Sequence, residues 1–274
     1  MTTQPATARK GDSPVQFTGI VVTFNEASRL RSCLNGLSFC QQLMVVDLGS
    51  TDESVAVARQ FGATVLRHPH VPIAEQARAV AVRQAAHDWI VLADPDEVVP
   101  AGLVSDIITS IMAHPRLGIL QLPRVNYFRG RPVTCTIWGR ENTGGVVRVV
   151  HRERVEFRPL VHRGLRLCSG YEQMWIAATT SNTIRHYWAD SYKQLLEKHL
   201  RYIEHEGKSL YETGERFGWR CTVRATRDAL KQNLFEFEGI KGGRTGVFLS
   251  LFYTWYVFMS RLSLRRYQRS IARE

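Results

Sequence analysis

GIVVTFNEASRLRSCLNGLSFCQQLMVVDLGSTD (Gly19–Asp52) holds two short apolar runs separated by an amphipathic stretch. GIVVTF (Gly19–Phe24) reads as a buried strand, because an unbroken apolar, β-branched run has both faces covered. Leu30, Cys33, Leu34 and Leu37 then recur at helical spacing, with Ser28 as the expected cap. LMVVD (Leu43–Asp47) is the second strand, so the unit reads as βαβ, which implies a parallel pair. The alternation continues outward. A second helix is expected after Ser50-Thr51-Asp52, with Val55, Ala58 and Phe61 inward and a stop at Gly62. ATVLR (Ala63–Arg67), an alanine-rich helix from about Ala74 to Ala86, and WIVLAD (Trp89–Asp94) follow. The predicted fold class is α/β, Rossmann-like, with a mostly parallel central sheet flanked by helices.

From Leu117 to Ser181 the chain is richer in β-branched residues, arginine and glycine, which predicts strands and loops completing the sheet. Beyond His186, Tyr192, Leu195, Leu196, His199, Tyr202 and Ile203 fall on one helical face. The expected division is a disordered tail over 1–16, a catalytic domain over 17–188 and a helical region over 189–274 with an amphipathic, basic and aromatic end. No apolar run marks the amino-terminal residues as a secretory signal. The five cysteines are scattered with no CxxC pair, which argues against a disulfide framework or zinc knuckle and fits a reducing compartment.

The formal net charge is +11. Such a surplus suits nucleic acid, anionic lipid or phosphorylated substrates. No zinc finger, RNP motif or long basic helix is present, and many arginines crowd the carboxyl end around an aromatic stretch. Lipid surface and phosphate substrates are therefore expected, and nucleic acid is not.

Ligands of an open α/β sheet bind beyond the carboxyl ends of its strands. The polar residues there are Asn25 and Glu26, then Asp47 and Asp52, then Asp94, Asp96 and Glu97. Asp52 reads equally well as a helix cap. Three acids in the four positions Asp94–Glu97, at the end of an apolar strand, suit a hard cation with oxygen ligands better than a turn. Pro95 biases Asp94 toward extended backbone. Mg²⁺ or Mn²⁺ held there would grip a diphosphate and neutralise a leaving group.

With these residues quoted, a resemblance can be stated. Val22-Thr23-Phe24-Asn25-Glu26, Val45–Asp52 and Asp94-Pro95-Asp96-Glu97 resemble, in order and separation, the three signatures of glycosyltransferase family 2. More narrowly the chain resembles the small bacterial enzymes that build lipopolysaccharide core and related glycolipids. Gln76 with Arg78, Arg148, Val161-His162, His186-Tyr187, and Lys198, Arg201 and Tyr202 extend it over about Gly19 to Arg261. The resemblance implies a GT-A fold, a nucleotide-diphosphate sugar donor, most plainly a UDP-sugar, and transfer with inversion. It implies that Asp47 accepts from the base and that Thr23, Asn25 and Glu26 line that pocket. Arg78 would approach base or diphosphate, Asp94 the ribose or the metal, and Asp96 the metal. Three positions depart from the pattern. Pro95 replaces an alanine, Ala79 an asparagine, and Arg163 the glutamate of a Val-His-Glu motif.

Loss of that glutamate leaves the general base open. His162 and Glu141 are the candidates, with Glu172 and Asp190 behind them; each also reads as an ordinary structural residue. A polyprenyl-phosphate acceptor would need no base, and Arg148, Arg163 and Arg166 would then hold its phosphate. A glycan or glycolipid acceptor is the other reading. A non-catalytic, membrane-bound nucleotide-sugar scaffold is the rival from another class, and the retained acids argue against it.

Val247–Met259 is apolar and aromatic for about thirteen residues, short of the ~20 of a membrane span. Trp255 lies within it, and Arg261, Arg265 and Arg266 follow. That composition suits a helix lying on an anionic membrane, though a core helix reads similarly. The expected location is cytoplasmic, peripheral on the inner face of the cytoplasmic membrane.

Overall fold

The computed structural model describes residues 13–71, 74–139, 145–157 and 165–272. In chain order the elements are β1 (Phe17–Thr23), α1 (Ala27–Gly36), β2 (Gln42–Asp47), α2 (Ser54–Gln60), β3 (Thr64–Arg67), α3 (Ala74–Arg83), β4 (Trp89–Ala93), β5 (Glu97–Val98) and α4 (Ala101–Ala113). Then come β6 (Leu117–Leu122), β7 (Arg124–Phe128), β8 (Arg131–Pro132), β9 (Val146–His151), β10 (Val155–Phe157), β11 (Leu165–Leu167), β12 (Glu172–Trp175) and β13 (Ile184–Ala189). Three helices follow: α5 (Tyr192–Glu212), α6 (Trp219–Lys231) and α7 (Gly243–Ile271), with a π turn at Gln232–Glu236 after α6. The chain divides into two compact units. One runs to Arg124 and resumes over Thr143–His186; the other comprises Val125–Asn142 and Tyr187–Glu274.

The first unit is built on a seven-stranded sheet in the order β12-β6-β9-β4-β1-β2-β3. β4, β1, β2 and β3 are parallel, as the apolar runs predict, and β9 runs antiparallel between β4 and β6. Alternate residues of each strand feed two cores. Val21, Val45 and Val91 pack with Leu30, Leu34 and Leu103. Ile20, Met44, Ile90 and Leu92 pack with Ala77 and Ala81. A strand buried on both sides has no polar face to alternate, which is why these runs read as continuously apolar. The chain leaves β1 toward β2 and β3 on one side, whereas β4 lies on the other. That reversal opens a crevice at the carboxyl ends of β1 and β4.

Some details differ from the sequence reading. α1 starts at Ala27 with Glu26 at its N-cap, so Ser28 lies inside the first turn rather than capping it. Its entry is tied to the neighbouring loop instead: Ala27 N donates to Asp52 Oδ2 at 3.0 Å and Glu26 N to Ser54 Oγ at 3.1 Å. Val15, within the stretch expected as a tail, is buried in the first core. β10 and β11 pair with each other in a small separate sheet.

The second unit packs Phe128, Trp138, Trp188, Leu195, Leu249 and Phe252 into one aromatic cluster. α7 is 29 residues long, and by length and composition it could cross a membrane, so the thirteen-residue apolar core understates it. It packs closely along α5. A Cβ at Gly207 would stand 2.5 Å from the Ser263 backbone, so only glycine permits that approach.

Candidate active site

β1 and β2 run in register, so Thr23 and Asp47 end side by side. Asp47 is 3% exposed, and its Oδ1 accepts from Ser50 N at 3.1 Å. Beyond it a cleft of about 360 Å³ is lined by Asp47, Gly49, Ser50, Val55, Arg67, His68 and Pro69. Gly49 has φ +91, a conformation that costs glycine nothing and lets this loop turn beside Asp47. Thr23 Oγ1 is buried without a hydrogen-bond partner, as is Arg78 Nε. Thr136 Oγ1, His151 Nδ1 and Ser260 Oγ are likewise unpartnered, but only Thr23 and Arg78 adjoin Asp47 and Asp94, where a ligand could complete them. Asn25 is used differently from the expectation. At φ +55, its Oδ1 accepts from Thr51 N at 2.7 Å and Asp52 N at 3.3 Å, which fastens the two loops together.

The acids after β4 are held by arginines. Arg78, from α3, donates through Nη2 to Asp94 Oδ1 at 2.5 Å. Arg148, from β9, donates through Nη2 to Asp94 Oδ2 at 2.7 Å. The same Arg148 meets Glu97 twice, with Nε to Oε2 and Nη2 to Oε1 both at 2.6 Å. Arg124 approaches Glu97 from another side at 3.5 Å. Glu97 is 1% exposed and also accepts from Asp94 N at 3.3 Å, so it stays buried with its charge matched. Burial alone would raise the Asp94 carboxyl. The Arg78 and Arg148 guanidiniums outweigh it and hold Asp94 at about 2, with Asp96 pushing the other way. Asp94 is therefore a fixed carboxylate across the physiological range.

Asp96 points elsewhere. Its Oδ2 stands 3.3 Å from His186 Nε2 on β13 and 3.9 Å from Arg29. Adjacent ligands of an octahedral ion, each at 2.0–2.1 Å, lie about 3 Å apart, so this carboxylate–imidazole pair fits a Mg²⁺- or Mn²⁺-sized cation. No group of three His, Cys, Asp or Glu side chains converges among the described residues. Remaining positions would fall to phosphate oxygens and water, as is usual for Mg²⁺.

Residues 18–142 match the sequence profile of Glycosyl transferase family 2. The match covers a little under half of the chain. The sheet above, parallel through β4, β1, β2 and β3, agrees with the α/β fold class expected from the sequence. The chain is 32% identical over 93 residues to a Rickettsia felis protein described as an uncharacterized glycosyltransferase, covering 34% of this chain and 32% of that one. A similarly described Rickettsia typhi protein is 22% identical over 204 residues, covering 72% and 68%. The chain thus matches about a third of the length of most of these curated relatives. Among solved structures, glucosyl-3-phosphoglycerate synthase of Mycobacterium tuberculosis, in complex with Mg²⁺ and UDP, aligns with a TM-score of 0.49 at 17% identity, covering 73% of this chain and 80% of that one.

Of the residues singled out by sequence, Thr23 and Asp47 end adjacent strands, while Arg78, Arg148 and Asp94 meet in one network. Arg148, expected at an acceptor phosphate, is instead spent on Asp94 and Glu97. Arg166 is exposed on the separate β10–β11 sheet. Glu141, His162 and Arg163 lie outside the described residues. In α7, Arg261 bonds Glu215, and Arg265 sits 5.4 and 5.2 Å from the Phe217 and Trp219 ring centres. Trp255 is half-buried against Phe252, and Arg266 is exposed. Sequence reasoning missed the parts played by Glu97, Arg124, His186, Arg67 and His68. Signals existed for Glu97, as the third acid of Asp94–Glu97, though read as a cation ligand, and for His186, through the His-Tyr resemblance; the others meet the site through contacts that no local pattern encodes.

Proposed function

We propose that this protein transfers a sugar from a nucleotide-diphosphate donor, a UDP-sugar, to a glycan or glycolipid acceptor at a membrane surface, with inversion at the anomeric carbon. The observation that supports it most is the division of labour between Asp94, neutralised by two arginines, and Asp96, paired with His186 at 3.3 Å. In this reading Asp47 and the buried Thr23 hydroxyl receive the base and ribose in the cleft that Arg67 and His68 also line. Arg78 Nε is left to meet the donor. Asp96 and His186 hold a divalent cation, which when bound neutralises charge on the departing diphosphate. Glu97, met also by Arg124, fixes Arg148, and Arg148 with Arg78 fixes Asp94, so the acids need not reorganise as the donor enters.

A second reading, transfer to a polyprenyl phosphate, is favoured by one sequence feature. Arg163 stands where the family pattern implied by the resemblance has a glutamate, and an anionic acceptor needs no base. On the glycolipid reading, His162 or Glu141 takes the acceptor proton. The aromatic α7 and the +11 charge support a peripheral position on the cytoplasmic face of an anionic membrane.

The test is a panel of UDP- and GDP-sugars with the full chain, with and without Mn²⁺ or Mg²⁺, reading slow donor hydrolysis. Metal-dependent hydrolysis of a UDP-sugar, abolished in Asp96→Ala, is expected. If no donor were bound or hydrolysed under any condition, the enzyme reading would give way to a nucleotide-sugar-binding scaffold.

A further inference from the structure

We infer that the exposed face of α6 is a docking surface for an anionic lipid bilayer. This rests on the membrane-acceptor part of the proposed function and says where that contact is made. α6 buries Thr222 and Ala229. Arg220, Arg224, Arg227 and Lys231 recur at intervals of three or four residues on the opposite side, and all four are exposed. Some of that charge is offset, because Arg227 reaches Asp228 at 2.9 Å and Lys231 lies 3.8 Å from Glu236. Arg220 and Arg224 form no ion pair among the described residues.

Large apolar side chains stand in solvent beside and beyond this stripe. Trp219 is 51% exposed, Val223 63%, Phe235 64% and Ile240 52%. Two of them are held in place rather than loosely displayed. Phe217 packs edge-on to Trp219 at 5.2 Å, with Arg265 over the same ring. The π turn after α6 buries Asn233, whose amide donates to Ala229 O at 2.9 Å and accepts from Ile137 N at 2.8 Å. Phe235, in the same turn, is left outward. A π turn is rare and tends to mark function.

Charge complementarity selects the occupant. A protein interface core accepts arginine but is depleted in the aspartate and glutamate that a row of four cations would need opposite it. A nucleic acid would follow the cations but has no use for exposed valine and isoleucine. An anionic headgroup layer takes both, with guanidiniums at the phosphates and tryptophan and phenylalanine at the boundary below. After the apolar stretch of α7, Arg261 is engaged by Glu215 and Arg265 by two rings, so the denser row of exposed cations is the one on α6.

The experiment is cosedimentation of the full chain with phosphatidylcholine vesicles, with and without phosphatidylglycerol. Wild type should bind only the anionic vesicles and be released by salt. Arg220→Gln combined with Arg224→Gln should weaken that binding ~30-fold, at about 1 kcal/mol per cation. Phe235→Ser, a surface change unable to disturb the core, should weaken it as well. Arg266→Gln in α7 should leave it nearly unchanged. Binding unaltered by the α6 variants overturns the inference, as does wild type that ignores phosphatidylglycerol or prefers single-stranded nucleic acid. Donor hydrolysis in solution is read on the same variants. If it persists while vesicle binding fails, the lipid surface is wrong and the enzyme stands; if wild type hydrolyses nothing, the enzyme reading has failed instead.

Discussion

The two units bury polar groups by opposite means. In the first, Glu97, Arg78 and Arg148 enter the protein charged and, with the partly exposed Asp94, are matched pair by pair at 2.5–2.7 Å. In the second, His199 enters neutral. It is 4% exposed, ringed by Trp138, Trp188, Phe252 and Tyr256 at 4.9–5.8 Å, and its Nδ1 hydrogen donates to Leu195 O at 2.8 Å. Charged burial demands several partners and gives a rigid field, which suits the proposed diphosphate site. Neutral burial asks only one hydrogen bond and serves packing. The contrast makes the units separable by mutation and by pH.

Breaking the charged network should have the largest effect. Arg148→Met leaves Glu97 buried with Arg124 alone at 3.5 Å, and removing one partner of a buried pair costs about 3–5 kcal/mol. Denaturant unfolding should show that loss, and donor turnover should fall with it as Asp94 is released. An unfolding midpoint unchanged by Arg148→Met would mean that the network is decorative.

Acid should act more on the second unit. Burial pushes His199 down to about 4, partly opposed by the Leu195 carbonyl. The sign follows from proton counts. Between pH 6.5 and 4 the unfolded chain binds a proton that the folded histidine refuses, so stability falls as pH falls through that window. The full loss, reached below pH 4, is about 3 kcal/mol. Asp94, held at about 2, adds slope only below about pH 5, where the unfolded carboxyl begins to take a proton that the folded one refuses. His151 in the first unit is lowered by burial and by Arg154, so that unit is not wholly flat. Hydrogen exchange resolved by unit should show α5 loosening first, and His199→Phe should reduce its pH dependence. Equal loosening of both units at pH 5 would contradict the contrast.

A smaller effect sharpens the ligand side of the comparison. Thr23→Val removes a buried hydroxyl that has no partner, so stability should hold or rise slightly. Calorimetry should nonetheless show UDP binding weakened about fivefold, the worth of roughly 1 kcal/mol for one hydrogen bond. Undiminished affinity would make Thr23 a core residue only.

The same contrast explains what the sequence disclosed. β1 to β4 were legible because their apolar runs and the helices between them are local patterns, and Asp47, Asp94 and Asp96 were legible because they end those runs. The partners of the acids were not. Arg148 lies 54 residues beyond Asp94 and was read as an acceptor contact, because nothing near it in the chain reveals Glu97. His186 is far along the chain from Asp96, and its family resemblance gave no reason to set the two side by side. In the second unit, Trp138 and Trp188 meet at 4.5 Å, tilted by 46°, although fifty residues separate them, and the grouping of 125–142 with the terminal helices follows from such contacts. Helical periodicity showed that α5 and α7 exist, but not that Arg261 and Arg265 are spent within the unit.

The most direct test of the account is calorimetric titration of UDP into the wild type, Asp96→Ala and His186→Ala, each with and without Mn²⁺. Wild type should bind UDP markedly tighter with the metal, and both variants should lose that enhancement while keeping the weaker metal-free binding. Enhancement that survives both substitutions, or UDP affinity indifferent to metal in the wild type, would contradict the claim that Asp96 and His186 hold the cation on which transfer depends.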